Sequence, residues 1–116
     1  MRLLPYTAAI LIIIAQASFA QDDAEQFYVS EVENIVQFYC ISCHRSGGQA
    51  GSTRLLFGSS APENHLKFDT YVNSPSRGAK ADRLLQKIRG AAGHGGGTVL
   101  REDSSEYERF KAYVDL

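Results

Sequence analysis

The chain has 116 residues, the length of one domain, and its 12 basic and 13 acidic residues give a net charge of −1. This balance argues against a nucleic-acid-binding protein, which would show a basic stripe. With only two cysteines, the chain also lacks the disulfide framework that stabilises many small exported domains. We therefore expect some other group to complete its small core.

Residues 1–20 have the pattern of a secretory signal peptide. Arg2 gives a positive start, residues 6–15 are almost wholly apolar, and Ser18-Phe19-Ala20 places small residues at a cleavage site. The apolar run is shorter than the roughly 20 residues that span a bilayer, so a cleaved signal is favoured over a membrane anchor. This pattern predicts a protein that is exported after cleavage near Ala20 and has no stable membrane anchor.

The first predicted helix leads directly into the cysteine pair. Residues 21–29 are interpreted as an acidic leader, and the folded domain is expected to comprise residues 30–116. Ser30 and Glu33 form a capping box. Apolar residues follow at helical spacing on one face: Val32, Ile35, Val36 and Tyr39. The pattern therefore predicts a helix that ends at Cys40.

The rest of the chain is predicted to alternate helices with long glycine-rich loops. Three further helices are expected: a short one within residues 62–72, one at residues 79–89, and a last one that begins near Ser104 or Ser105, with Glu108 completing a capping box. The loop at residues 45–60 contains Leu55-Leu56-Phe57, which we expect to turn inward. No segment alternates apolar and polar residues long enough for a strand, so the predicted fold class is all-α.

The segment Cys40-Ile41-Ser42-Cys43-His44 matches Cys-x-x-Cys-His, the attachment pattern of a c-type haem. Two thiols at this spacing can each add to one vinyl group at the haem edge, and the adjacent histidine supplies the proximal ligand of the iron. The export signal agrees, because bacteria attach such haems outside the cytoplasm. The motif therefore predicts one covalent haem c in a periplasmic or secreted bacterial protein.

Three other interpretations of the cysteine pair are weaker. A thioredoxin-like redox pair needs a strand before it and a helix after it, whereas here a helix precedes and a loop follows. A zinc site needs a different spacing, since His44 directly follows Cys43 while His65 and His94 lie far apart. A disulfide between Cys40 and Cys43 would close a very short loop and stabilise little.

The second axial ligand of the iron is predicted to be a histidine. The single methionine is Met1, inside the predicted signal, so the mature chain cannot use that common ligand. His94 is favoured because its flanking glycines let backbone approach the porphyrin. His65, which follows the polar segment Pro62-Glu63-Asn64, is the alternative, and lysine, water or an open position are weaker ones. A second imidazole implies a lower reduction potential than a methionine would give.

Together these features resemble the class I c-type cytochromes, and more particularly short bacterial cytochrome domains with a His-Gly-Gly-Gly ligand loop. The segments that carry the resemblance are residues 40–44 after the first helix, Leu84-Leu85-Gln86-Lys87 leading to His94-Gly95-Gly96-Gly97, and Ser105-Glu106-Tyr107. The resemblance implies a small cytochrome c-like fold, in which the N-terminal and C-terminal helices pack around one covalent haem. It implies contacts between two sets of side chains: Ile35, Val36 and Tyr39 on one helix, and Tyr107, Phe110 and Val114 on the other.

The chain departs from the class I pattern at two points. The methionine ligand is absent, and the first proline after His44 is Pro62, too far along to be the usual carbonyl partner of the proximal imidazole. A partner of this kind is expected, because it fixes the orientation of a metal-bound imidazole, but the sequence does not identify it.

The expected function is that of a monomeric one-electron carrier, not an enzyme, which exchanges electrons with a donor and an acceptor protein. The alternative is a haem enzyme or sensor with an open iron site, peroxidase-like or gas-binding, which requires that neither His94 nor His65 binds the iron. No distal acid–base pair for peroxide cleavage is evident, which favours electron transfer. A zinc-stabilised interaction module without haem is the third possibility.

Overall fold

The computed structural model describes residues 23–73 and 77–116, and these two ranges contain helices and loops but no β-strand. The all-α class predicted from the sequence is therefore confirmed. The predicted signal peptide at residues 1–20 lies outside the described residues. Within the described ranges, no helix combines the length and the apolar character needed to cross a membrane.

The N-terminal helix begins earlier than the sequence pattern predicted. It comprises three consecutive stretches: residues 23–27 in α-helix, Tyr28–Val32 in a wider π-helical turn, and Glu33–Tyr39 in α-helix (α1). Ser30 is thus inside the helix and not at its start, and its Oγ donates a hydrogen bond to the Gln26 carbonyl oxygen. The reason is Tyr28, whose fully buried ring extends the apolar face upstream into the acidic segment.

Three further α-helices follow in the described ranges: Ala61–Val72 (α2), Arg77–Ile88 (α3) and Ser105–Val114 (α4). Ser60 caps α2 and Ser104 caps α4, because each hydroxyl accepts a hydrogen bond from a backbone N–H three residues on. All three helices lie where the sequence predicted them. Because Ser104 is the cap, Glu108 lies one position too far along to complete a capping box.

Aromatic side chains hold the two terminal helices together. The ring centroids of Tyr28, in the π turn, and Tyr113, in α4, are 5.2 Å apart. Phe68 of α2 lies 5.8 Å from the Tyr28 ring and 6.1 Å from the Tyr113 ring, and the fully buried Phe110 packs against Phe68. Helix α3 packs on α2 at the other side. The terminal helices therefore meet, as the family resemblance implied.

Two buried tyrosines are expected to make the fold sensitive to alkaline pH. Burial, reinforced by the Glu33 carboxylate, raises the pKa of Tyr28, and burial with the nearby Asp69 raises the pKa of Tyr113. Unfolded tyrosines ionise near pH 10, so the stabilisation is complete below about pH 10 and is lost above it. The loss is at most about 1.4 kcal/mol per pH unit for each tyrosine.

Denaturant titrations between about pH 8 and about pH 11 test this expectation. The free energy of unfolding should fall above about pH 10, and Tyr113→Phe should reduce the steepness of the fall. A free energy of unfolding that stays level up to about pH 11 would contradict it.

Candidate functional site

A cavity of about 700 Å³ lies between the end of α1, the loop that follows it, α3 and the second glycine-rich loop. Its volume is within the range of about 300–1,000 Å³ found for pockets that hold small molecules and cofactors. The buried apolar side chains that line it, among the described residues, are Phe57, Phe68, Leu84, Ile88 and Phe110. Four side chains that the sequence assigned to a haem also line it: Cys40, Cys43, His44 and His94.

The Cys-x-x-Cys-His motif continues the winding of the helix for one more turn. The Cys40 N–H donates to the Val36 carbonyl at 3.0 Å, and the Cys40 carbonyl accepts from the N–H groups of Cys43 and His44 at 3.3 Å and 3.0 Å. This turn places both thiols and the imidazole along the same cavity. The sequence predicted a helix that ends at the motif, and the structure adds the turn that gathers its side chains.

The state of the thiols disfavours cysteine redox chemistry. Cys40 and Cys43 are half-buried and are not joined by a disulfide. Burial raises the pKa of the Cys40 thiol to about 12, and the neighbouring Cys43 adds to the effect. At neutral pH Cys40 is therefore a thiol, whereas a thioredoxin-like pair depends on a thiolate.

A backbone carbonyl of the following loop orients the His44 ring. The Nδ1 atom of His44 lies 2.8 Å from the carbonyl oxygen of Leu55. Because that oxygen can only accept, Nδ1 carries the hydrogen and Nε2 keeps a free lone pair for a metal. Imidazoles that bind metals are usually oriented in this way. Sequence reasoning missed Leu55, because every residue has a backbone carbonyl and no side-chain pattern marks the one that is used.

His94 reaches the cavity from the loop opposite His44. The two ring centroids are 6.0 Å apart and the ring planes differ by 17°. Two imidazoles that bind one metal ion end-on have ring centroids about 6 Å apart, because each contributes a metal–nitrogen bond of about 2 Å and a ring radius of about 1 Å, and the observed separation is compatible with such a pair. The Cys40, Cys43, His44 and His94 donors thus fit a covalently held haem with two axial imidazoles.

Glycines shape the loop that carries His94. Gly93 has a φ of 65°, which a residue with a side chain adopts only under strain. A Cβ atom at Gly96 would lie 3.2 Å from the His94 ring, closer than ordinary contact. These two positions allow the backbone to turn tightly around the imidazole.

His65 does not line this cavity. It is only 6% exposed, its Nδ1 lies 2.7 Å from the Tyr113 hydroxyl oxygen, and its ring packs beside Tyr28. Although polar residues precede it in the sequence, α2 directs Asn64 and His65 inward and leaves Glu63 exposed. The structure therefore brings His94, and not His65, to His44.

No family model, curated protein sequence or solved structure matches this chain. Within the described ranges, no group of three or more histidine, cysteine, aspartate or glutamate side chains is arranged to hold a metal ion. Two imidazoles do not form such a group, but a porphyrin brings four nitrogen ligands of its own and requires only axial ligands from the protein.

The rim of the cavity is aromatic and basic. Phe38 is 79% exposed and Tyr39 is 39% exposed, and their rings meet edge to face with centroids 4.8 Å apart. Tyr39 is therefore not the buried contact with the last helix that the family resemblance implied, whereas Ile35 and Val36 are buried. The charged side chains among the described lining residues are Arg54 and Lys87.

Proposed function

We propose that this protein is a periplasmic or secreted monohaem c-type cytochrome that carries single electrons between partner proteins. The observation that supports this most strongly is the convergence of Cys40, Cys43, His44 and His94 on one largely apolar cavity. The near-parallel imidazoles at a centroid distance of 6.0 Å add to that support. With a haem in the cavity, the packed terminal helices correspond to a small cytochrome c-like fold.

A haem bound in this cavity would be held by Cys40 and Cys43 through thioether bonds. Each thiol would add across a vinyl C=C bond, with the sulfur bonded to one carbon, the thiol hydrogen transferred to the other, and nothing released. The addition would require no oxidant. His44 and His94 would be the two imidazole ligands of the haem iron.

The bound haem supplies the one-electron couple of its iron, and the residues of the chain adjust it. The Leu55 carbonyl accepts the His44 Nδ1 hydrogen and makes that imidazole a stronger donor to the iron. Two imidazoles favour the oxidised iron more than an imidazole and a thioether do, so a relatively low reduction potential is expected. Apolar walls such as Phe68 and Phe110 limit the access of water.

Absorption spectra of the full chain, expressed in a bacterium that attaches haem c and purified after export, test this proposal. We expect low-spin, six-coordinate spectra in both oxidation states and no change on adding carbon monoxide. A five-coordinate spectrum that shifts with carbon monoxide would overturn the electron-carrier proposal and favour the haem enzyme or sensor. A colourless protein would overturn both.

A further inference from the structure

Residues 55–58, here called the strap, contact the proximal histidine at two points. The Leu55 carbonyl accepts from His44 Nδ1 at 2.8 Å, and the Phe57 N–H donates to the His44 carbonyl at 2.9 Å. The strap therefore holds both the ring and the backbone of His44. Because the strap is loop, with no helix or strand ladder of its own, its position depends on what holds its far end.

The side chain of Asn64 holds that far end. The Gly58 N–H donates to Asn64 Oδ1 at 2.9 Å, and Asn64 Nδ2 donates back to the Gly58 carbonyl at 2.9 Å. Asn64 is only 2% exposed, which is unusual for an asparagine. A buried amide is tolerated when its hydrogen bonds are formed, and here both the oxygen and the nitrogen of the Asn64 amide have a partner.

Glu33 fixes the Asn64 amide to the helix that carries the cysteines. Its carboxylate accepts from Asn64 Nδ2 at 3.1 Å and 3.3 Å, from the Tyr28 hydroxyl at 2.6 Å and from Gln37 Nε2 at 2.8 Å. Gln37 Nε2 also donates to the Gly58 carbonyl at 2.7 Å. Since a carboxylate can only accept, it determines which way the Asn64 amide faces. A network with all its members paired is rigid.

We propose that Asn64 is a positioning residue for the proximal ligand, which keeps the Leu55 carbonyl on His44 Nδ1 and thereby lowers the reduction potential of the haem. The inference rests on the proposed function. The hydrogen bond to the carbonyl increases the basicity of the imidazole, which favours the oxidised iron. Loosening the strap lengthens that bond and raises the potential.

Redox titration of the haem-loaded protein tests the inference with three variants. Asn64→Ala should keep a low-spin spectrum. At a fixed applied potential it should raise the ratio of reduced to oxidised haem by up to about tenfold, which corresponds to a reduction potential about 59 mV higher for one electron. Gln37→Ala removes one donor to Gly58 and should shift the potential less, in the same direction. Ser104→Ala is the matched control: it removes the cap of α4 and so destabilises the fold, but touches nothing in the strap.

Hydrogen exchange gives a readout that does not depend on the haem. Asn64→Ala should speed exchange of the Gly58 and Phe57 N–H groups, whereas Ser104→Ala should leave it unchanged. An unaltered potential in Asn64→Ala, or equal shifts in Asn64→Ala and Ser104→Ala, would overturn the inference. If Asn64→Ala fails to fold, Gln37→Ala decides by the same two measurements. An unmodified chain that lacks haem would instead overturn the proposed function, and exchange would still show whether Asn64 holds the strap.

Discussion

Replacing His94 with alanine is expected to open one axial position of the iron while the haem stays covalently attached. The spectrum should change from low-spin to high-spin, because His94 lines the cavity opposite His44 and His65 does not. Added carbon monoxide or imidazole should then bind and shift the spectrum. The measurement is an absorption spectrum of His94→Ala in both oxidation states, with and without each added ligand.

The matched control for this variant is His65→Ala. It should destabilise the protein, because the buried Tyr113 hydroxyl loses its partner, but the spectrum should stay low-spin. The reverse pattern, low-spin in His94→Ala and high-spin in His65→Ala, would show that the ligand assignment is wrong.

Replacing both Cys40 and Cys43 with serine is expected to abolish covalent haem attachment and to lower stability strongly. Under the proposed function, a haem would fill the cavity of about 700 Å³ and add contacts to its apolar walls, which the variant would lose. The loss in the free energy of unfolding should exceed the roughly 3 kcal/mol that bounds most single substitutions. Haem staining after denaturing electrophoresis measures the attachment, and thermal unfolding measures the stability.

Ser42→Ala is the control for the cysteine variants, because Ser42 lies between the two cysteines and is exposed. Ser42→Ala should show the same haem staining after denaturing electrophoresis and the same thermal stability as the unmodified chain. A double variant that still carries haem after denaturation would contradict the assignment of the two thiols.

The helices could largely be predicted because their apolar residues repeat at helical spacing and because serines cap two of them, α2 and α4. The early start of the N-terminal helix could not, because acidic residues surround Phe27 and Tyr28 and conceal an apolar face that only packing against Tyr113 reveals. The intrinsic helix propensity of the residues near a helix start is a weak signal, and tertiary contacts override it.

The candidate site could be predicted where its chemistry resides in side chains. The motif spacing predicts the site residues Cys40, Cys43 and His44. The neighbouring glycines and the lack of a methionine in the mature chain predict His94. The hydrogen-bond partner of the His44 ring could not be predicted, because a backbone carbonyl such as that of Leu55 has no sequence signature. Asn64 is a polar residue whose burial depends on its position within α2 and on Glu33, which is 31 residues away in the chain.

The mass of the denatured protein tests the covalent attachment of haem most directly. The full chain is expressed in a bacterium that attaches haem to a control cytochrome, and the purified product is unfolded, reduced and weighed intact by mass spectrometry. We predict the mass of the chain cleaved near Ala20 plus one haem, unchanged by the reductant. The mass of the polypeptide alone, alongside a correctly loaded control, would contradict the proposed function.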